Sequence, residues 1–135
     1  MEATIVDPAM ERRERASADI GGEIDRRLDE LKAIALDEGI AVCGRSEHDA
    51  RGFQAQLGLA KRPALFLTDG GNCSAVWEDD AGNRVGLEFE GDGVVEYACL
   101  KRLDSGRIET SVGRGALASL CDHIATAGLD GLLAA

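Results

Sequence analysis

Four short turns that end in glycine constrain the fold of this chain more than any other sequence feature. The triplets are Asp69-Gly70-Gly71, Asp80-Ala81-Gly82, Gly91-Asp92-Gly93 and Asp104-Ser105-Gly106, and each one separates two runs of strand-forming residues. A three-residue hairpin loop is a type I turn followed by a residue in the left-handed region, which glycine adopts without strain. Each triplet therefore predicts a β-hairpin, with a positive φ at Gly71, Gly82 and Gly93.

The registers that these turns predict agree with one another. The predicted opposite pairs are Leu67 with Cys73, Leu65 with Ala75, Trp77 with Val85, Ala75 with Leu87, Cys73 with Phe89, Glu90 with Val94, Phe89 with Val95, Leu87 with Tyr97 and Val85 with Cys99. One face of the sheet then has no charged residue and contains Leu65, Leu67, Cys73, Ala75, Trp77, Val85, Leu87, Phe89, Val95, Tyr97 and Cys99. A slip of one residue would move this set to the other face. We therefore predict an antiparallel meander over residues 63–110, with its uncharged face and Trp77 in the core.

A long helix is predicted before this sheet. Apolar residues from Ile20 to Ala35 recur at spacings of three and four, which is typical of an amphipathic helix. Ser17 or Asp19 is predicted to cap its start, because their side chains accept hydrogen bonds from free backbone N–H groups. Gly39 is predicted to end it.

Two shorter helices complete the prediction. Ser46 precedes acidic residues, so it is predicted to cap a short helix that ends at Gly58. Residues 113–126 are predicted to form the last helix, closed by Gly128. Gly113-Arg114-Gly115 is interpreted as the connection from the sheet into that helix. The alternative is an anion site formed by the first backbone amides of the helix.

The order of these elements predicts the fold class. Helices segregated from a meander of strands are typical of a two-layer arrangement. We predict an α+β fold, a five-stranded antiparallel meander with helices packed on one face. Residues 1–16 are polar and charged, and are predicted to be a flexible N-terminal segment. Residues 17–135 are predicted to form a single α+β domain, since a chain of 135 residues is large enough for its own core.

The charge balance favours some partners over others. The chain has 25 acidic and 15 basic residues, and a formal net charge of −10. Nucleic acids and anionic membranes are disfavoured as ordinary partners, because both are negatively charged. A basic protein partner, cations, or solubility alone are compatible with this charge.

The sequence also bears on location. No apolar run is long enough to span a bilayer, and residues 1–9 lack the basic and apolar regions of a secretory signal. The four cysteines have no Cys-x-x-Cys spacing. Without an export signal they indicate reduced thiols, so a cytoplasmic location is predicted.

No pattern indicates a catalytic, cofactor or metal site. The two histidines, His48 and His123, do not have metal-ligand spacing relative to the cysteines. The glycine triplets lack the form of a phosphate-binding loop, and none of the four stands between a strand and a helix. We therefore predict no catalytic residue, no cofactor and no metal ligand.

Acidic residues gather on the outer face of the predicted sheet. The register places Glu88 directly opposite Glu96, with Glu90 on the same side and Asp92 at the tip of the hairpin. Like charges directly opposite each other destabilise a strand pair, and Arg84 lies at the far end of its strand. The acids are either a solvated face or a binding surface for a basic partner or a cation.

Two segments carry a resemblance to other proteins. They are Gly71-Asn72-Cys73-Ser74-Ala75-Val76-Trp77 and Gly86-Leu87-Glu88-Phe89-Glu90-Gly91-Asp92-Gly93. Together they resemble a group of small uncharacterised bacterial proteins in which a Gly-Asn-x-x-Ala-x-Trp strand precedes a Gly-Leu-x-Phe-x-Gly-Asp-Gly hairpin. The resemblance implies a bacterial origin and brings no activity, cofactor or catalytic residue with it.

Two functions from different classes are compatible with these features. The first is a non-enzymatic acidic protein-interaction module of the bacterial cytoplasm, of the antitoxin, immunity, inhibitor or accessory-subunit type. Its partner would have a basic surface, and the predicted partner-binding residues are Glu88, Glu90, Asp92 and Glu96. The alternative is a small metal-dependent hydrolase that uses the clustered carboxylates on the sheet. A homo-oligomer is possible in either case.

Overall fold

The fold of residues 8–59 and 61–133 is described by a computed structural model, which includes the side chains from Asp19 onward. The helices are α1 (Pro8–Glu38), α2 (Gly44–Leu57) and α3 (Leu120–Thr126), with short 3₁₀ helices at Leu117–Ser119 and Asp130–Leu132. The strands are β1 (Ala64–Leu67), β2 (Cys73–Glu78), β3 (Arg84–Gly91), β4 (Val94–Arg102) and β5 (Ile108–Ala116). The strands form one antiparallel sheet in the order β1-β2-β3-β4-β5. The predicted α+β fold with a five-stranded meander is confirmed.

The registers follow the turn chemistry. The pairs predicted from the first two turns are present, including Trp77 with Val85, with one exception. The predicted pair of Cys73 with Phe89 does not form, because the pairing of β2 with β3 ends at Ser74 opposite Glu88. The turn glycines have the predicted positive φ, which is 86° at Gly71, 89° at Gly82 and 77° at Gly93. Turn sequence alone therefore determined which face of β1, β2 and β3 is buried.

The third hairpin differs from its prediction at one pair. Gly91, and not Glu90, lies opposite Val94, so β3 has a bulge between Phe89 and Gly91. The loop is then Asp92-Gly93, with φ of 56° and 77°. Positive φ at both central residues defines the type I′ turn that Asp-Gly favours. The bulge absorbs the extra residue, so the predicted pairing of Phe89 with Val95 is retained.

The first helix begins earlier than predicted. α1 starts at Pro8, so the predicted caps Ser17 and Asp19 lie inside the helix and that prediction is wrong. Residues 1–7 of the predicted flexible segment lie outside the described residues, and the division at residue 16 stays a prediction. Five residues of the predicted apolar face of α1 are buried in the core, and they are Ile20, Ile24, Leu28, Leu31 and Ala35. Ile34, which was predicted on the same face, is 48% exposed.

The predicted cap of the second helix is also wrong. α2 starts at Gly44, with Cys43 at the N-cap position. Ser46 lies inside the helix and is fully buried. Its hydroxyl oxygen accepts a hydrogen bond of 2.8 Å from the backbone N–H of Cys73. The hydroxyl therefore joins α2 to β2 and is not available as a cap.

The core lies between the uncharged sheet face and the helices. Trp77 is 3% exposed, as predicted, and its indole N–H donates a 3.0 Å hydrogen bond to the carbonyl of Lys61. The ring of Phe53 on α2 contacts both Trp77 and Phe89, at centroid distances of 5.9 and 4.8 Å. These aromatic contacts fasten α2 to the middle of the sheet.

The predicted helix over residues 113–126 is wrong in its first part. β5 continues to Ala116, and α3 begins only at Leu120. Gly113 lies opposite Tyr97, whose ring covers it so closely that a Cβ at Gly113 would be 2.5 Å from the phenol oxygen. Tyr97 in turn stacks on His123 of α3, at 5.1 Å between ring centroids. The Tyr97 ring therefore explains why this position of the strand is a glycine.

None of the helices in the described part of the chain is long and apolar enough to cross a membrane.

Candidate functional site

The outer face of the sheet brings three of the four predicted partner-binding residues together. Glu88 on β3 lies directly opposite Glu96 on β4, as predicted. Glu90, which the bulge leaves unpaired, points to the same side. Glu88, Glu90 and Glu96 each contribute a carboxylate oxygen to a group whose members lie within 4.8 Å of one another. We call these three residues the acidic cluster.

One basic residue lies beside the acidic cluster and was not predicted from the sequence. Arg114 on β5 lies directly opposite Glu96 and forms an ion pair with Glu90. The earlier interpretation of Gly113-Arg114-Gly115 as a connection into a helix is wrong, and it hid this contact. Glu88 accepts a hydrogen bond of 3.3 Å from the side-chain amide of Asn72. The acidic cluster thus has one cationic partner for three carboxylates within the described residues.

The fourth predicted residue, Asp92, is directed elsewhere. Its carboxylate forms an ion pair of 3.2 Å with Arg45 near the start of α2. Both side chains are mostly exposed, so this pair contributes little to stability. The adjacent Gly93 N–H donates a 2.8 Å hydrogen bond to Asp49 of α2. Asp92 therefore belongs to the contact between the β3–β4 turn and α2, and not to the acidic cluster.

Beside the acidic cluster, a line of small and apolar residues crosses the whole sheet. The four registers place these residues opposite one another in turn, from β1 to β5, and they are Ala64, Val76, Gly86, Ala98 and Val112. We call them the apolar row. The face around this row forms a shallow concave surface of about 710 Å³. Phe66 on β1, two residues after Ala64, is 49% exposed, and Val112 at the end of the row is 71% exposed.

The centre of the apolar row contains a glycine that the fold itself does not require. A Cβ at Gly86 would meet its nearest neighbours at 3.9 and 4.0 Å, which is ordinary contact, and its φ is not positive. Glycine in the interior of a strand weakens the strand, and it often marks a place where another backbone approaches closely. The glycine is thus consistent with a contact made by the outer face.

Charged residues lie on both sides of the apolar row. Glu88 and Glu96 are on one side, next to Gly86 and Ala98 in their strands. Arg84 lies on the other side, opposite Leu100 on one neighbouring strand and Glu78 on the other. The side chains of Arg84 and Glu96 make no hydrogen bond or ion pair among the described residues. These two side chains can therefore meet an external group without first breaking an internal ion pair.

The carboxylate oxygens of the acidic cluster are close enough together to coordinate a divalent cation. Carboxylate oxygens at this spacing suit Mg²⁺, Mn²⁺ or Ca²⁺. The Arg114 guanidinium is already paired with Glu90, so a cation would have to displace it or share the carboxylates with it. Positive charge at this place is supplied by the chain itself.

The two buried cysteines are not activated as nucleophiles. Cys73 and Cys99 are buried, and burial raises the pKa of both thiols. A raised pKa keeps a thiol protonated at neutral pH and therefore weakly nucleophilic. His123 is engaged in stacking on Tyr97, and His48 is exposed on α2.

Comparison with protein-family models, with curated proteins and with solved structures finds no match to this chain. The resemblance to small bacterial proteins therefore stays a prediction.

Proposed function

We propose that this chain is a non-enzymatic interaction module that binds a protein partner with a basic surface, and that the outer face of the sheet is its binding surface. The observation that carries the proposal is the apolar row beside the acidic cluster, in which, among the described residues, only the Glu90 carboxylate has an ion-pair partner, Arg114. Apolar contact area with a charged margin is the usual composition of a protein interface. The module would act in the bacterial cytoplasm as an antitoxin, immunity, inhibitor or accessory-subunit protein.

Electrostatics supports a basic partner. Glu88 and Glu96 lie directly opposite each other, so each carboxylate raises the energy of the other. A Lys or Arg side chain of the partner would relieve this repulsion on docking. Charges at the margin of an interface mainly raise the association rate and make it salt-dependent. The net charge of −10 extends the same attraction over a longer range.

The proposal is tested by removing charge from the acidic cluster alone. The double variant Glu88→Gln, Glu96→Gln preserves side-chain size and is used to capture partners from the native cell, in parallel with the parent chain. Once identified, the captured partner is titrated against both proteins over a salt series. We expect the variant to bind at least tenfold more weakly at low salt, with a flatter salt dependence.

A matched control removes the same charge elsewhere. Asp80→Asn, Asp104→Asn changes two exposed turn residues that lie outside the acidic cluster. This control should capture and bind the partner as the parent does. If the Gln variant binds the partner as tightly as the parent at every salt concentration, the acidic cluster is a solvated face and the proposal is wrong.

The alternative function, a metal-dependent hydrolase, is favoured by the mutual approach of the three carboxylates and disfavoured by the Arg114 ion pair. Calorimetric titration with Mg²⁺, Mn²⁺ and Zn²⁺ separates the two functions. If the chain is an interaction module, the parent should show no saturable metal binding that depends on Glu88 and Glu96. Stoichiometric binding that needs both carboxylates would favour the hydrolase.

A further inference from the structure

The central strand of the sheet has opposite charges at equal distances from its glycine. β3 is the third of five strands, and Gly86 is on the outer face of the sheet. Arg84 precedes Gly86 by two residues and Glu88 follows it by two. Residues two apart in a strand point to the same face, so all three face outward, about 6.8 Å from one to the next.

We propose that the outer face binds a second copy of this chain, with a two-fold axis that passes above Gly86 and lies perpendicular to β3. This operation reverses the direction of β3 in the second copy. Glu88 of each copy then lies over Arg84 of the other, and the two apolar rows lie over each other. The interface is isologous, because the same surface serves in both copies.

The occupant follows from the charge pattern. A face that bound only a basic partner would not favour an exposed arginine on its central strand. Arg84 is exposed there and, although Glu78 lies opposite it on β2, it forms no ion pair among the described residues. The proposed axis places the Glu88 carboxylate of each copy over Arg84 of the other copy, so the dimer has two such charge pairs. The other in-plane axis, parallel to β3, would place Glu88 over Glu88 and is excluded by like-charge repulsion.

The residues of the apolar row suit the contact of two sheets. Sheets that pack face to face lie about 10 Å apart, with aligned strands rotated by about 30°. That rotation displaces the outer strands far more than the central one, so the pairs on β3 are the best determined. The proposed axis places Val76 over Val76 and Val112 over Val112, and these side chains fill the space on either side of Gly86 and Ala98.

The expected dimer is weak. Five strands about 4.8 Å apart and three outward rows about 6.8 Å apart cover about 500 Å² on each copy. The total of about 1,000 Å² is at the lower limit for a specific interface. We therefore expect a monomer–dimer equilibrium that depends on protein concentration and is weakened by salt.

This inference goes beyond the proposed function and does not rest on it. A second copy and a heterologous basic partner would be alternative occupants of one face. A chain that stays monomeric overturns the dimer and leaves the proposed function standing. If the chain dimerises but captures its partner equally well without the charges of the acidic cluster, the dimer stands and the proposed function is overturned.

The test is a pair of charge reversals. Arg84→Glu places two carboxylates over each other at both contacts, and Glu88→Arg places two guanidinium groups there. Analytical ultracentrifugation should show that each variant alone has its dimerisation weakened at least tenfold relative to the parent. An equimolar mixture of the two variants has opposite charges at both contacts, so it should form a heterodimer.

A third variant acts without charge. Gly86→Val adds a strand-favouring side chain whose Cβ would make only ordinary contacts, at 3.9 and 4.0 Å, so the melting temperature should be unchanged or higher, while the dimer is lost. Asp104→Arg, a charge reversal in a distant turn, should leave the dimer intact. The proposal is overturned if the parent is monomeric up to millimolar concentration. It is equally overturned if the mixed variants stay monomeric, or if folded Gly86→Val dimerises like the parent.

Discussion

The Arg114 guanidinium on β5 forms an ion pair with the Glu90 carboxylate on β3, across the intervening strand β4. Glu90 reaches this position because the bulge in β3 leaves it without a cross-strand partner. Arg114 also lies opposite Glu96, so a single guanidinium balances the acidic cluster from one side. The ion pair therefore explains how three carboxylates gather on a stable sheet.

Removal of this cation should expose the repulsion within the acidic cluster. We expect Arg114→Gln to lower the free energy of unfolding by at most about 1 kcal/mol, because the Arg114 side chain is largely exposed. The loss should shrink at high salt, which screens exposed charges. Urea unfolding at two salt concentrations measures this. Adding Glu96→Gln to Arg114→Gln should restore stability, and a further loss would contradict the balancing role of Arg114.

Trp77 should be among the most costly core positions. Trp77→Ala removes a buried ring and its contact with Phe53, and it leaves the Lys61 carbonyl without its indole donor. We expect a loss of about 3–5 kcal/mol in the free energy of unfolding. Trp77→Phe keeps most of the ring volume and should lose clearly less. A melting temperature of Trp77→Ala equal to that of the parent would contradict the register of the second hairpin.

Two turn glycines allow backbone strain to be separated from crowding. Gly71 and Gly93 both have positive φ, but a Cβ at Gly71 would lie 2.0 Å from the carbonyl oxygen of Ala41, whereas Gly93 has open space around it. Gly93→Ala should therefore cost only the strain of the left-handed region, about 1–2 kcal/mol. Gly71→Ala should cost much more, because backbone must move. Thermal unfolding of the two variants tests the difference, and equal losses would contradict it.

The elements that local chemistry controls could be predicted from the sequence. Turn glycines set the registers, and the registers placed Trp77 in the core and Glu88 opposite Glu96. The third turn was ambiguous, because a three-residue loop and an Asp-Gly turn with a bulge both place Phe89 opposite Val95. The ambiguity leaves the buried face unchanged and moves only Glu90, a residue of the site.

The remaining differences arise from contacts between distant parts of the chain. Ser46 has the side chain of a helix cap, but its hydroxyl is taken by the backbone of Cys73. Gly113 has the residue type of a helix boundary, but it lies within β5, and the glycine is explained by the ring of Tyr97 above it. Arg114 was missed with it. Local sequence preference does not contain these tertiary contacts, so the site could be predicted only in its acidic half.

A cluster of ion pairs between α1 and α2 should make stability fall in acid. Arg51 on α2 binds Asp25 and Asp29 on α1 and Glu47 on its own helix, at 3.0, 2.8 and 3.0 Å. Lys32 binds the other oxygen of Glu47 at 3.1 Å.

The sign of the pH effect follows from Glu47. Burial alone would raise the pKa of its carboxyl group, but the hydrogen bonds from Arg51 and Lys32 outweigh burial and hold this pKa below its ordinary value of 4.5. A group whose pKa is lowered by folding contributes stability above its ordinary pKa and loses it as the pH falls through the folded value. The contribution of Glu47 should thus be complete above about pH 4.5 and decrease below it.

Urea unfolding from pH 7 to pH 3 compares the parent with Glu47→Gln. The difference in unfolding free energy should be largest at neutral pH and shrink below pH 4.5, because protonated Glu47 resembles Gln. Asp79, whose pKa is lowered by hydrogen bonds from Asn83, titrates in both proteins and cancels in the comparison. Arg51→Met should remove most of the difference, since the main donor to Glu47 is gone. A difference between parent and Glu47→Gln that stays constant down to pH 3 would show that Glu47 does not stabilise the fold through its charge.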